Sequence, residues 1–100
     1  MHVPSSELIA KLRAARTLLE HEGVEHLTLF GSRARGNARL DSDVDIALDV
    51  AADSRFSVLN LVGVEEIVTR ATGLRANAFM HRALDSRFRS EIARDGLAVF

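Results

Sequence analysis

Two short apolar stretches with polar ends constrain this chain more than any other feature. Leu27-Thr28-Leu29-Phe30 ends on Gly31-Ser32, and after ten further residues Asp43-Val44-Asp45 opens a second run, Ile46-Ala47-Leu48. Both runs have the length and composition of strands. In a strand, side chains i and i+2 share a face, so Asp43 and Asp45 project together, whereas Val44, Ile46 and Leu48 project oppositely into a core. A fold that obeys this pattern covers one face of a sheet with apolar groups and leaves two neighbouring carboxylates on the other.

Such carboxylates repel each other, so one takes up a proton or the pair recruits a cation. Mg2+ prefers oxygen ligands and binds through one or two carboxylates together with substrate phosphates, which makes Asp43 and Asp45 a candidate site for Mg2+ carrying a nucleoside triphosphate. Gly31 gives the backbone freedom to turn sharply and lets a phosphate approach. Ser32 is a good N-cap, and Ser32-Arg33-Ala34-Arg35 has the composition of a short helix ended by Gly36. The N-terminus of a helix offers free N–H groups to a phosphate. Arg33 and Arg35 add positive charge there, and at least one is expected to hold a β- or γ-phosphate by paired hydrogen bonds. Taken singly, a Gly-Ser after a strand is usually a turn and an Asp-x-Asp is often a solvated edge. Their conjunction at this spacing carries the reading.

The rest of the chain alternates helices and strands. Leu8, Leu12, Ala15 and Leu19 recur at helical spacing and predict one helix from Ser5 to about Glu22, ended by Gly23. Val24 to Phe30 is the first strand, residues 37–42 a polar loop, and Asp43 to about Val50 the second strand. Leu61, Val64, Val68 and Ala71 form the core stripe of a helix over roughly 57–72, on which Glu65 and Glu66 read as a solvated face. A third strand over 74–80, a helix over 85–95 with Phe88 and Ile92 one turn apart, and a final strand over 97–100 complete the series. This order predicts an α/β (α+β) fold with helices packed against one sheet, and taken alone it points to a parallel sheet.

A chain of 100 residues, 47% of them apolar, buries one modest core, so residues 1–100 are expected to form a single domain. A net charge of -1 from 13 basic and 14 acidic residues supplies no overall basic field, so direct nucleic-acid binding is not expected. Arg87, Arg89 and Arg94 read as solvated. No cysteine is present, which excludes disulfides and thiolate metal sites. With neither a leader-like start nor an apolar run of membrane-spanning length, the expectation is a cytoplasmic protein without a membrane partner. The chain also lacks tyrosine, so any tyrosine that receives a nucleotide belongs to another molecule. Among the histidines, His2 is expected to be disordered and His21 and His26 to lie on the surface. His81 ends the strand carrying Asn77 and is placed near the substrate pocket without a metal role.

The words LTLFGSRARG and SDVDIAL resemble the signature of the DNA polymerase β-like nucleotidyltransferases, and in particular their minimal (MNT) branch. The resemblance covers most of the chain. It implies a mixed rather than parallel sheet, and transfer of a nucleoside monophosphate, AMP from ATP, to a hydroxyl with Mg2+ or Mn2+ as cofactor. It implies that Asp43 and Asp45 bind the metal and that Gly31, Ser32, Arg33 and Arg35 bind the nucleotide. It further implies a small helical HEPN-type partner, with the chain acting as the antitoxin of a toxin–antitoxin pair; a homo-oligomer stays open. One position departs from the branch, in which the third strand carries a further catalytic Asp. Here Gly73-Leu74-Arg75-Ala76-Asn77-Ala78-Phe79 puts Asn77 there. An amide offers a carbonyl oxygen but no charge, and it cannot accept a proton from an attacking hydroxyl. The alternative is therefore a catalytically impaired antitoxin or binding module that neutralises its partner by contact. A small-molecule transferase acting as a homodimer ranks third.

Overall fold

In the computed structural model, which describes residues 3–100, the two apolar stretches are adjacent strands. β1 (Val24–Phe30) and β2 (Val44–Val50) run antiparallel, with Phe30 opposite Asp45 and Leu29 opposite Ile46. β3 (Ala76–Met80) pairs with β2 in parallel and β4 (Leu97–Ala98) with β1 antiparallel, giving the order β3-β2-β1-β4. The sheet is mixed, as the resemblance implies, and not the parallel sheet suggested by element order alone. The β2-to-β3 connection carries the long crossover helix that a parallel pairing of neighbouring strands requires. The polar loop and one helical turn between β1 and β2 simply reverse the chain. His2 lies outside the described residues.

Helices α1 (Ser5–Ala14), α2 (Arg16–Glu22) and α4 (Val58–Thr72) cover one face of the sheet. Leu8, Leu12, Leu19, Val64 and Val68 are buried there against Leu27, Leu29, Val44, Ile46 and Leu48. A four-residue helix, α3 (Ser32–Arg35), follows β1, and a 3-10 turn (His81–Ala83) follows β3. Helix α5 (Ser86–Asp95) lies on the other face, where Ile92 packs on Phe30 and Ala47. The Phe30 and Phe79 rings meet edge to face at 5.8 Å, and Phe79 stacks on Phe88 at 6.3 Å. This second face holds only a small apolar cluster, and the side chain of Asp45 emerges beside it.

The predicted helix from Ser5 to Glu22 is interrupted at Ala15, whose backbone (φ -91°, ψ 4°) leaves the helical region. Leu8, Leu12, Ala15 and Leu19 stay buried across the break, so the apolar spacing bears no trace of it. Asp43 and Leu74 precede their strands, and Ser57 and Asp85 cap α4 and α5. The Asp85 carboxylate accepts from the Phe88 N–H at 3.0 Å, and the Ser57 N–H donates to Asn60 Oδ1 at 3.0 Å. β4 is shorter than predicted, yet Val99 N–H still donates to the Leu27 carbonyl at 2.8 Å. Glu65 is not part of a solvated face. Its carboxylate accepts from the Ala78 N–H at 2.9 Å, closing a backbone donor on the edge strand β3.

Candidate active site

Gly31 ends β1 at φ 77°, ψ -159°, in a region that favours glycine. A Cβ at this position would lie 2.5 Å from Asp45 Oδ2, so the bare backbone is seated directly against the carboxylate. The Ala34 and Arg35 N–H groups bond to the Gly31 carbonyl at 3.1 Å each, and those of Ser32 and Arg33 head the turn. With only four residues, α3 offers the dipole of a single turn.

Asp43, Asp45 and Asn77 come together from β2 and β3. Asn77 stands opposite Asp45 in the parallel register. Its Nδ2 donates to Asp43 Oδ2 at 3.0 Å and to Asp45 Oδ1 at 3.2 Å. Facing two acceptors, the amide turns its donor end inward. Burial raises the Asp45 carboxyl above its ordinary value; the Asn77 hydrogen bond works against this, the charges of Asp43 and Glu91 add to it, and Arg35 opposes it. Among the described residues no third His, Cys, Asp or Glu joins the pair at metal-binding distance. The donor set nevertheless fits a hard divalent cation: two carboxylates converge on one shared donor, and phosphate oxygens and water can fill the remaining positions. For Asn77 to ligate such a cation, its amide must turn over to present the carbonyl oxygen.

The two arginines expected at the phosphates have different environments. Arg33 is 3% exposed. Its Nε and Nη2 donate to the Ser42 carbonyl at 3.2 and 2.8 Å, and Nη2 also reaches the Leu40 carbonyl at 3.3 Å. Its guanidinium therefore pins the loop that delivers Asp43, an engagement that the sequence did not reveal. The cause is that the 37–42 loop needs donors for its inward carbonyls and offers few of its own. Arg35 is at the surface, and its Nη1 donates to Glu91 Oε1 at 2.7 Å. Glu91 escaped the sequence reading. Its signal was its place on the Phe88–Ile92 face of α5, since 88, 91 and 92 share a side at i, i+3, i+4 spacing.

His81 does not reach this site. Its Nδ1 lies 3.3 Å from Asp49 Oδ1. Asp49 shares the β2 face with Asp45 but sits four residues further along, beyond the phenylalanine cluster.

A polymerase beta nucleotidyltransferase family profile matches residues 13–100. The chain belongs to this nucleotidyltransferase family. It is 35% identical over 84 residues to the protein adenylyltransferase MntA of Thermococcus cleftensis, covering 84% of this chain and 83% of that protein. Among solved structures, a minimal nucleotidyltransferase superposes with a TM-score of 0.77 at 27% identity, covering 96% of both chains. A complex of a tri-AMPylated HEPN toxin with its MNT antitoxin, from Shewanella oneidensis, superposes with a TM-score of 0.67 at 15% identity. That match covers 96% of this chain and 71% of the other, and at this identity it speaks to the fold alone. The nucleotidyltransferase fold thus sets Gly31, Asp43, Asp45 and Asn77 at the open face of the sheet, away from the main core.

Proposed function

We propose that this chain is an adenylyltransferase that moves AMP from ATP to a hydroxyl of a partner protein, and that the partner is a HEPN-type toxin for which it serves as antitoxin. The observation that carries the reading is the convergence of Asp43 and Asp45 beside the glycine-bared backbone at Gly31. The adenylyltransferase named among the relatives and the HEPN complex among the structural neighbours support the donor and the partner.

In this reading Asp43 and Asp45 hold Mg2+, which when bound neutralises charge on the phosphates. The N–H groups of Ser32 and Arg33, together with Arg35, orient the β- and γ-phosphates, and Gly31 leaves room for them. An acceptor oxygen forms a bond to the α-phosphorus, the bond from that phosphorus to the bridging oxygen breaks, and pyrophosphate leaves with that electron pair. The hydroxyl proton passes to solvent water, because Asn77, whose amide is no base, cannot take it.

That last point favours a second reading: a chain that binds nucleotide and partner but transfers slowly, neutralising the partner by contact. Isothermal titration with a non-hydrolysable ATP analogue, with and without Mg2+, tests the site. Mg2+-dependent binding that disappears in Asp43→Ala/Asp45→Ala is expected. Labelled ATP with a HEPN partner then separates the two readings, because label on the partner supports transfer, and stable binding without label supports contact.

A further inference from the structure

We infer that Glu91 of α5 is a positioning residue that holds Arg35 ready for the triphosphate; this rests on the nucleotide-binding reading above. Three observations carry it. The 2.7 Å bond from Arg35 Nη1 to Glu91 Oε1 joins α3, the turn after Gly31, to α5, 56 residues later in the chain. The pair lies at the surface, with the Glu91 side chain 22% and the Arg35 side chain 35% exposed, and close enough to Asp45 for both charges to bear on its carboxyl. Glu91 itself is fixed, since the next residue, Ile92, is buried on Phe30 and Ala47, and Phe88 one turn earlier meets Phe30 edge to face at 6.4 Å.

An arginine carries five N–H donors in a rigid fork. The Glu91 carboxylate engages one arm, and no other bond of the Arg35 guanidinium is present among the described residues. The remaining donors are left for an anion. A free arginine would lose several rotatable bonds on meeting a phosphate, whereas one already tied along one arm loses fewer. Arg33 cannot substitute, because its guanidinium is spent on the 40–42 loop. Without Glu91, then, the site keeps the charge of Arg35 but loses its placement.

Charge and placement predict opposite results, which makes the test decisive. Glu91→Gln removes the negative charge but retains an acceptor for Arg35, and Glu91→Leu removes both at similar volume. If placement governs, Gln binds the Mg2+–ATP analogue like the parent, and Leu binds about 5-fold more weakly. Transfer by the Leu variant shows a raised KM for ATP with kcat retained. In an Arg35→Ala background, Glu91→Leu then has no further effect. Thermal melts of each variant account for any loss of folded protein. Equal or tighter binding by the Leu variant, or an undiminished effect without Arg35, overturns the inference while leaving the nucleotide site standing. Absence of Mg2+–nucleotide binding by the parent removes both.

Discussion

Replacing Asn77 with Asp puts a third carboxylate beside Asp43 and Asp45, and the geometry gives the cost of doing so. Asn77 donates to Asp43 at 3.0 Å and to Asp45 at 3.2 Å. Hydrogen bonds to charged groups contribute about 1.5–3 kcal/mol each, the two N–H groups of Nδ2 serve one carboxylate each, and a protonated carboxyl in their place keeps one of the two, a loss of about 2 kcal/mol. The new carboxylate also faces like charges, a repulsion of about 4 kcal/mol at 4 Å and an effective dielectric of 20. The cluster relieves most of that by taking up a proton, so a net loss of about 3 kcal/mol at pH 8 without metal is expected. For a domain of this size that lowers Tm by roughly 12–24 °C. The new carboxyl has its folded pKa raised, so the native state binds the extra proton. The electrostatic part of the destabilisation is therefore absent below about pH 4 and grows as pH rises through the folded pKa. Mg2+ binds three carboxylates better than two and recovers stability, about 2.7 kcal/mol at a hundred times its Kd. Melts of parent and variant at pH 5 and pH 8, with and without Mg2+, measure each term. A variant as stable as the parent at pH 8 without metal, or equal Mg2+ effects on both proteins, would refute the account of Asn77 as a bridge between carboxylates. Under the impaired-enzyme reading, the same variant gains transfer activity.

Three other outcomes follow from the site. Because the Asp45 carboxyl is raised by burial, the metal-free parent loses stability as pH rises from about 4 through the folded pKa, and denaturant titrations of Asp45→Asn should show a flatter profile over that window. Gly31→Ala forces a residue with a side chain to φ 77° and puts a methyl 2.5 Å from Asp45 Oδ2, so a loss of about 1–2 kcal/mol together with loss of Mg2+–nucleotide binding is expected by melting and titration. Arg33→Met keeps bulk but strips the Leu40 and Ser42 carbonyls of their buried donors; faster amide exchange confined to residues near 38–43, with weaker metal binding, is the expected signature, and unchanged exchange there would count against the loop-pin role.

The carboxylate pair was legible because strand alternation is strict: once Val44, Ile46 and Leu48 are assigned to the core, Asp43 and Asp45 have only the other face. Asn77 was legible only through the family resemblance, which marks its place after Gly73; that it stands opposite Asp45 came from the parallel register of the structure. The order of elements followed from periodicity, but sheet direction did not, because apolar spacing within a strand says nothing of which way its neighbour runs. Arg33 and Arg35 looked equivalent in sequence, two residues apart on one short turn. Their fates diverged through tertiary partners that no local pattern encodes: the carbonyls of a loop for Arg33, and the distant Glu91 for Arg35. The break at Ala15 was invisible for the opposite reason, as the buried stripe continues through it unchanged.

The carboxylate of Glu65 on the Ala78 N–H has a bearing on how this small protein meets others. A strand at the rim of a sheet normally advertises its backbone to any extended segment that drifts past, and chains can recruit one another by lengthening the sheet. Here the crossover helix reaches down and occupies a rung of that ladder with its own side chain. Extension of the sheet past β3 would first have to evict an internal tenant, so association with a neighbour is steered toward faces where side chains, and not the polypeptide backbone, decide who is recognised.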